Sequence, residues 1–341
     1  MNHRFLFRAA APIAVLAASL APFHLPGQTL LAEKKSPAAK SSSSDSWTPK
    51  RTPDGQPDLQ GIWSNATITP FERPVALGTK AFLTEEEAVK AEEQSRKNRV
   101  DHPAREGEVG DYNALWLDSG TKVVKTRQTS LVVDPPDGRV PIKPEAAAKR
   151  AYNLEHESDS YEYMSVWDRC ITRGVPAGMF PAGYNNAYQI IQTPGYFVIV
   201  SEMIHDARVI PLDGSPHPPS NVRFWNGDSR GHWEGNTLVV DTTNYNNKGW
   251  IATSAATGRV KGIMQSEALH VVERFTRTDA DSISYEVTID DPNTYTRPWK
   301  VAVPLARDDS YTMYEYACHE GNEAPVLILG GGRAKDNAAT R

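Results

Sequence analysis

Apolar and polar residues alternate along much of the chain after residue 186, as they do in β-strands with one buried and one solvated face. The clearest segment is 283–289, where apolar side chains at every second position alternate with Ser284, Glu286 and Thr288. Turn residues such as Gly235-Asn236 separate the segments and are typical of hairpins. Because parallel crossovers need a dozen or more residues, the segments are predicted to pair as antiparallel neighbours.

Short strands are therefore expected over most of the folded chain. They are predicted at 128–134, 189–192, 196–200, 207–212, 232–234, 237–241, 269–275, 282–289, 299–303 and 311–317. A sheet of so many strands has no exposed edges if it closes on itself. The predicted fold is accordingly mainly β, an antiparallel β-barrel or barrel-like meander, with a β-sandwich as the alternative.

Two short helices are predicted ahead of most of these strands. Thr84 is followed three residues later by Glu87, which is the pattern of a capping box at the start of a helix that runs to about Arg96. The second helix begins near Lys143-Pro144, because proline in a first helical turn has no N–H bond to lose.

The first 32 residues have the pattern of a secretory signal peptide. Residues 1–8 carry two arginines and no acidic residue, and a short apolar run follows at 9–18. A membrane span needs about 20 apolar residues, and prolines interrupt this run before that length. The protein is therefore expected to be secreted or periplasmic, with no membrane span after processing.

The remaining chain divides by composition into three parts. Residues 33–54 are polar and rich in serine, so they are expected to be a disordered linker. Residues 55–333 are predicted to form a single β-rich domain, and 334–341 a flexible tail.

The composition limits the classes of partner. Of 341 residues, 23% are charged and the formal net charge is -5, with no block of basic residues. Nucleic acid is therefore not an expected partner, since its recognition needs a clustered basic face. A small molecule is the expected ligand or substrate.

The chain has two cysteines, Cys170 and Cys318. Oxidising compartments favour pairing, and an even count leaves no unpaired thiol. A Cys170–Cys318 disulfide is therefore predicted, with two buried thiols as the alternative.

The densest group of candidate catalytic residues is Glu202, His205, Asp206 and Arg208. Histidine titrates near neutral pH, and a neighbouring carboxylate can fix its tautomer, so this group is suited to acid–base chemistry. The alternative is a hairpin turn in which Asp206 caps the backbone and Glu202 pairs with Arg208.

A second group, His319 and Glu320, directly follows Cys318 and lies close to Tyr316. A disulfide at Cys318 would hold these side chains in place, which is the rigid support that catalysis needs. The alternative is a strand end with solvated charges.

A third group runs from Asp228 to Glu234 and includes Arg230, His232 and Trp233. In a strand, its charged residues share one face and are predicted to bind a carboxylate or a sugar. The alternative is an exposed edge with cross-strand ion pairs.

No cofactor is predicted from these groups. The sequence contains neither H-E-x-x-H nor C-x-x-C, and His205, His232 and His319 have no diagnostic metal-ligand spacing. A divalent metal bound by these histidines and nearby acids is the open alternative.

Several stretches together resemble a widespread family of exported bacterial proteins of unknown function. They are PDLQGIW at 57–63, DPPDGR at 134–139, EMIHDAR at 202–208, SRGHWEGNTLVV at 229–240 and YACHEGN at 316–322. The resemblance implies one shared unit from about 55 to 333, and it implies no activity or cofactor.

Two hypotheses for function follow. In the first, the protein is an acid–base hydrolase or lyase that acts on a small organic or sugar-like substrate. His205 and His319 transfer protons, while Glu202, Asp206 and Glu320 orient them. The expected substrate-binding residues are Arg208, Arg230, His232, Trp233 and Tyr316. In the second hypothesis, the protein binds a small ligand without chemistry.

Overall fold

The computed structural model describes residues 47–99 and 117–340. The predicted signal peptide and the first part of the predicted linker, up to residue 46, lie outside the described residues.

The described chain contains a ten-stranded sheet in which every pair of neighbouring strands is antiparallel. The strands are β1 Gly61–Ser64, β2 Val132–Asp134, β3 Ala187–Thr193, β4 Tyr196–Ser201, β5 Ala207–Pro211, β6 Asp228–Glu234, β7 Thr237–Thr243, β8 His270–Asp279, β9 Ser282–Asp290 and β10 Trp299–Arg307. Their order is β5-β4-β3-β1-β10-β9-β8-β7-β6, and β2 pairs with β10 outside this path.

The sheet curls into a nearly closed barrel, because its first and last strands approach each other. Arg208 of β5 donates a hydrogen bond of 2.8 Å from Nη2 to Ser229 Oγ of β6. A Cβ atom at Gly231 of β6 would lie 2.5 Å from Leu212 Cδ2, so this approach requires glycine. The predicted antiparallel barrel is therefore confirmed.

The core fills the barrel interior, and the predicted alternation is confirmed in the β8–β9 hairpin. Along β9, Ile283, Tyr285, Val287 and Ile289 are buried while Glu286 is exposed. Each such apolar side chain contributes roughly 1.5–3 kcal/mol through burial.

In the part of the chain that the structure describes, three α-helices lie outside the sheet: α1 Glu85–Asn98, α2 Pro144–Glu155 and α3 Ala324–Ala339. The predicted capping box is confirmed at α1, where Thr84 Oγ1 accepts from Glu87 N at 3.2 Å and the Glu87 carboxylate accepts from Thr84 N at 2.8 Å. Proline opens α2 as predicted.

Helix α3 was not expected from the sequence, because Gly330-Gly331-Gly332 are poor helix formers and indicate a loop. Packing explains why a glycine is accommodated in the helix at Gly332. A Cβ atom at Gly332 would lie 2.7 Å from the carbonyl oxygen of Ser158, so the helix approaches residue 158 through a position without a side chain. Most of the segment predicted as a flexible tail is helical.

The predicted strand at 311–317 is wrong, since no strand is present there. The segment is an irregular loop whose contacts are made with distant residues. Tyr311 Oη donates to the carboxylate of Glu202 at 2.8 Å, and the carbonyl oxygen of Tyr316 is 2.9 Å from His205 Nδ1. Residues 128–131 also lie outside β2, so that predicted strand is shorter than expected.

The predicted disulfide is confirmed. Cys170 and Cys318 are bonded across 148 positions of sequence, with their Cα atoms 5.5 Å apart. The bridge joins the loop that leads toward β3 to the irregular segment after β10. Among the described helices, none has the length and apolar character needed to cross a membrane.

Candidate functional site

A narrow pocket lies where the loop after Cys170 meets β4, β5 and the turn between them. Its cavity volume is only about 30 Å³, well below that of typical small-molecule sites, and the rest of the pocket is open to solvent. Its polar and charged lining residues are Arg173, Ser201, Asp206, Arg208 and Asn226, and its apolar ones are Val175, Met179, Ile199 and Met203.

Arg173 places a buried positive charge against this pocket. Only 5% of the residue is exposed, and within the described chain Nε and Nη2 are buried without a hydrogen-bond partner. The guanidinium carbon lies 5.6 Å from the centroid of the Trp167 ring, a cation–π contact. Burial lowers the pKa of Arg173, because removal from water disfavours the charged form. An arginine nevertheless stays protonated, so its charge lacks an anionic partner.

The segment that follows the disulfide holds Arg173 in this position. Gly174 has a φ of 84°, a left-handed conformation that favours glycine, and its N–H donates to Thr172 Oγ1 at 3.0 Å. Cys170, also with a positive φ, ties the segment to Cys318. The position of Arg173 therefore depends on both the local turn and the covalent bridge.

Asp206 supplies a negative charge to the same pocket. Its Oδ2 atom accepts from Thr172 Oγ1 at 2.9 Å and from Asn226 Nδ2 at 3.2 Å. The predicted backbone-capping role is not what the structure shows for this side chain, because its two hydrogen bonds come from side chains of distant segments.

Arg208 also lines the pocket, but its charge is compensated inside the barrel. Its guanidinium forms two hydrogen bonds with the carboxylate of Glu273, at 3.0 Å and 2.5 Å, and Glu273 has no solvent exposure. Tyr285 Oη donates to the same carboxylate at 3.0 Å. Burial acts to lower the pKa of Arg208, but the Glu273 carboxylate outweighs it and raises that pKa.

Glu202 does not pair with Arg208, as the alternative interpretation of this turn had it. Its carboxylate is buried and accepts from Tyr311 Oη at 2.8 Å and from Asn185 Nδ2 at 2.5 Å. Burial, and then the hydrogen bond to Glu202, raise the pKa of Tyr311. Glu202 thus fastens the loop after β10 to the turn between β4 and β5.

His205 lies on the exposed side of this turn, next to Asp206. Its Nδ1 atom is 2.9 Å from the carbonyl oxygen of Tyr316. A carbonyl oxygen only accepts, so Nδ1 carries the ring proton and Nε2 has the free lone pair in the neutral imidazole. The structure therefore brings His205 and Tyr316 together, and the contact is made by the backbone carbonyl of Tyr316 rather than by its side chain.

His319 and Glu320 are exposed in the turn that follows Cys318. In the described structure neither side chain forms a hydrogen bond or an ion pair with another described residue. The disulfide fixes the backbone before them, but it does not orient the two side chains. Their catalytic role stays a prediction.

The third predicted group lies on the outer face of the barrel. Arg230 donates to the Asp228 carboxylate at 2.8 Å and 3.0 Å, while His232 Nε2 is 3.3 Å from Glu234 Oε1. Trp233 is partly buried and packs against the core. These two pairs lie within β6, whereas the alternative interpretation had ion pairs between strands. A pair between strands is formed by Glu234 and Arg274 of β8, at 2.7 Å.

A connected set of polar residues that sequence reasoning did not assemble lies beside this group. Both ring nitrogens of His217 face carboxylates, Nδ1 toward Asp228 at 2.7 Å and Nε2 toward Asp241 at 2.9 Å. His270 Nε2 lies 2.6 Å from the other oxygen of Asp241. The hydrogen bond with Asp241 raises the pKa of His270, and the same bond lowers the pKa of Asp241.

One motif was also overlooked in the sequence. Gly227-Asp228-Ser229-Arg230-Gly231 has the spacing G-x-S-x-G of a nucleophile elbow. Ser229 lies inside strand β6, however, rather than at a turn between a strand and a helix. Its Oγ is buried and bonded to Arg208, so the structural context of a nucleophilic serine is missing.

Arg173 is the charged pocket residue that sequence reasoning missed. Its only local signal is its place three residues after Cys170 and directly before a glycine. Within the described residues, no group of three or more His, Cys, Asp and Glu side chains is arranged to hold a metal ion.

Comparisons with known proteins identify no relative of this chain: no family model, no curated protein and no solved structure matches it. The resemblance to a widespread exported family therefore stays a prediction.

Proposed function

We propose that this protein binds a small organic anion in the pocket beside Arg173. The observation that carries the proposal is that Arg173 is 5% exposed and its Nε and Nη2 atoms have no hydrogen-bond partner among the described residues. Removing a charge from water costs free energy unless a partner compensates it. A bound carboxylate would accept from these nitrogens and supply the missing negative charge.

The remaining lining indicates what kind of anion fits. Val175, Met179, Ile199 and Met203 present apolar surface to the pocket. Such a lining favours an organic body over a strongly hydrated inorganic ion, and the planar guanidinium of Arg173 matches the two oxygens of a carboxylate.

Substitution of Arg173 by methionine tests the proposal. Methionine keeps an apolar stem of similar length and removes the charge. The wild-type protein is expected to gain thermal stability in sodium acetate, propionate or benzoate relative to sodium chloride at equal ionic strength. Arg173→Met should lose this gain.

Arg230→Met is the matched control. Arg230 is paired with Asp228 on the outer face and is also a predicted substrate anchor. This variant should keep the carboxylate response of the wild type. Equal responses from the wild type and Arg173→Met would refute the proposal, and a loss with Arg230→Met alone would move the site to the outer face.

A second candidate function is acid–base hydrolysis or elimination at His205, which adjoins the pocket-lining Asp206 but does not itself line the pocket. The observation that favours it is His205, whose Nδ1 faces the Tyr316 carbonyl oxygen at 2.9 Å and whose Nε2 is left as the basic atom. Asp206, the next residue, lines the pocket.

A panel of 4-nitrophenyl esters and glycosides provides the test. An enzyme of this kind should lose turnover on His205→Gln by at least about tenfold, since positioned acid–base groups contribute 10²–10⁴-fold. His156→Gln is the matched control and should retain turnover, because His156 is paired with Asp159 and belongs to none of the predicted catalytic groups. An inactive wild type, or equal activity in both variants, would count against the second candidate.

A further inference from the structure

The pocket holds two opposite charges that do not pair with each other. Arg173 and Asp206 both line it, but no ion pair joins these two described residues, and Asp206 is not among the charges that shift the pKa of Arg173. Opposite charges in one small space attract strongly unless the structure holds them apart. Here Asp206 is held by hydrogen bonds from Thr172 and Asn226, and the Arg173 guanidinium lies against the Trp167 ring.

Asp206 has one carboxylate oxygen to spare. Thr172 and Asn226 both donate to Oδ2. Within the described residues, Oδ1 accepts no hydrogen bond. The residues that line the pocket thus include an acceptor on Asp206 and buried donors on Arg173 that no described residue uses.

The other charged group of the lining does not alter this balance. Arg208 is neutralised by Glu273 through two hydrogen bonds inside the barrel. The net requirement of the pocket is therefore one negative group at Arg173 and one positive, hydrogen-donating group at Asp206.

We infer that the ligand is a small α-amino acid, an inference that rests on the proposed anion site. Its carboxylate accepts from Arg173, and its ammonium group donates to Oδ1 of Asp206. A simple carboxylate leaves Asp206 without a donor, and a simple amine faces the charge of Arg173. A zwitterion satisfies both.

The size and lining of the pocket narrow the ligand further. The cavity volume of about 30 Å³ admits only a compact ligand, part of which lies in the portion of the pocket that is open to solvent. Met179, Ile199 and Met203 provide apolar contacts for a short side chain. Alanine is accordingly the first amino acid to test.

Three probes test the two charges separately. L-alanine carries both groups, propionate lacks the amino group, and ethylammonium lacks the carboxylate. Calorimetric titration of the full chain should show alanine binding at least tenfold more tightly than propionate, and ethylammonium binding weakest. Asp206→Asn should weaken alanine binding at least tenfold and leave propionate binding equal or tighter. Arg173→Met should abolish the binding of both.

Asp309→Asn is the matched control, because Asp309 is an exposed carboxylate paired with Arg307 away from the pocket lining. It should bind all three probes like the wild type. If Asp206→Asn does not fold by circular dichroism, the preference of the wild type for alanine over propionate decides the question alone.

The outcomes distinguish this inference from the anion site on which it rests. Equal binding of alanine and propionate by the wild type overturns the amino-acid inference and leaves the anion site standing. An Asp206→Asn variant that folds and keeps wild-type alanine affinity also overturns it. Absence of binding by every probe removes both.

Discussion

Two arginines line the same pocket, Arg173 buried and Arg208 largely buried, and their surroundings differ. Arg208 is bonded to Glu273, Ser229 and Thr242, so its charge and its donors are satisfied. Arg173 has a cation–π contact with Trp167 and two buried nitrogens without a partner among the described residues.

Arg208 therefore has a structural role, whereas Arg173 is the proposed anion-binding residue. A buried ion pair with complete hydrogen bonding joins β5 to β6 and β8 and fixes the barrel closure. A buried cation without a partner destabilises the protein, and the proposed ligand would compensate the charge of Arg173. Loss of the partner of Arg208 should therefore lower the free energy of unfolding, whereas removal of the Arg173 charge should leave it unchanged or raise it.

The largest effect is expected at the compensated site. Glu273→Gln leaves Arg208 buried without an anionic partner and should lower the free energy of unfolding by about 3–5 kcal/mol. Denaturant titration measures this. The double variant Arg208→Met/Glu273→Leu removes both charges and should recover most of the loss. A single variant as stable as the wild type would mean that Arg208 does not need its partner.

The disulfide comes next, because it ties the segment that carries Arg173 to the loop after β10. Replacement of Cys170 and Cys318 by serine should lower the free energy of unfolding by about 2–5 kcal/mol. Carboxylate binding should weaken as well, since Arg173 loses its covalent support. Binding at wild-type affinity in a destabilised variant would show that the local turn at Gly174 is sufficient.

A smaller change of opposite sign is expected at the uncompensated site. Without ligand, Arg173→Met should leave the free energy of unfolding unchanged or raise it by about 1 kcal/mol, because an unpaired buried charge is removed. The same denaturant titration, repeated in propionate, should stabilise the wild type alone. A loss of several kcal/mol in the variant would place Arg173 with Arg208 as a structural residue.

The smallest effect is expected for the solvent-screened pair of His270 and Asp241. The pKa of His270 is raised, so its contribution is full below the unfolded value near 6.5 and is lost as pH rises through the folded value. The pKa of Asp241 is lowered, so its contribution is full above the unfolded value near 3.9 and is lost as pH falls through the folded value.

Wild type and His270→Gln should therefore differ most between about pH 4 and pH 6.5, by about 0.2–1 kcal/mol because the imidazole is half-exposed. The difference should shrink toward pH 9. Thermal unfolding across pH 4–9 measures it. A difference that is the same at all pH values would show that the ion pair contributes nothing.

Local patterns in the sequence predicted the parts of the fold that depend on neighbouring residues. The alternation of 283–289 predicts its hairpin, and Thr84 with Glu87 predicts the start of α1, since both signals are complete within a few residues. The pairing of Cys170 with Cys318 was predicted from the cysteine count and the export pattern.

Other parts depend on partners far along the chain. Residues 311–317 have the composition of a strand, but contacts with Glu202, His205 and Cys170 hold them as a loop. Glu273 occupies an inward position of β8, on the same face as Val271 and Phe275. Its role as the partner of Arg208 is visible only in the folded structure.

The sequence by itself predicted a mainly antiparallel β fold, a barrel with a sandwich as the alternative, together with the first two helices, one disulfide and a dense polar group at 202–208. Only the tertiary structure decided which charges in and near that group are compensated. Pattern and period are local properties of a chain. The partner of a buried charge is set by three-dimensional packing, so Arg173 and Asp206 became a candidate binding pair only in the folded protein.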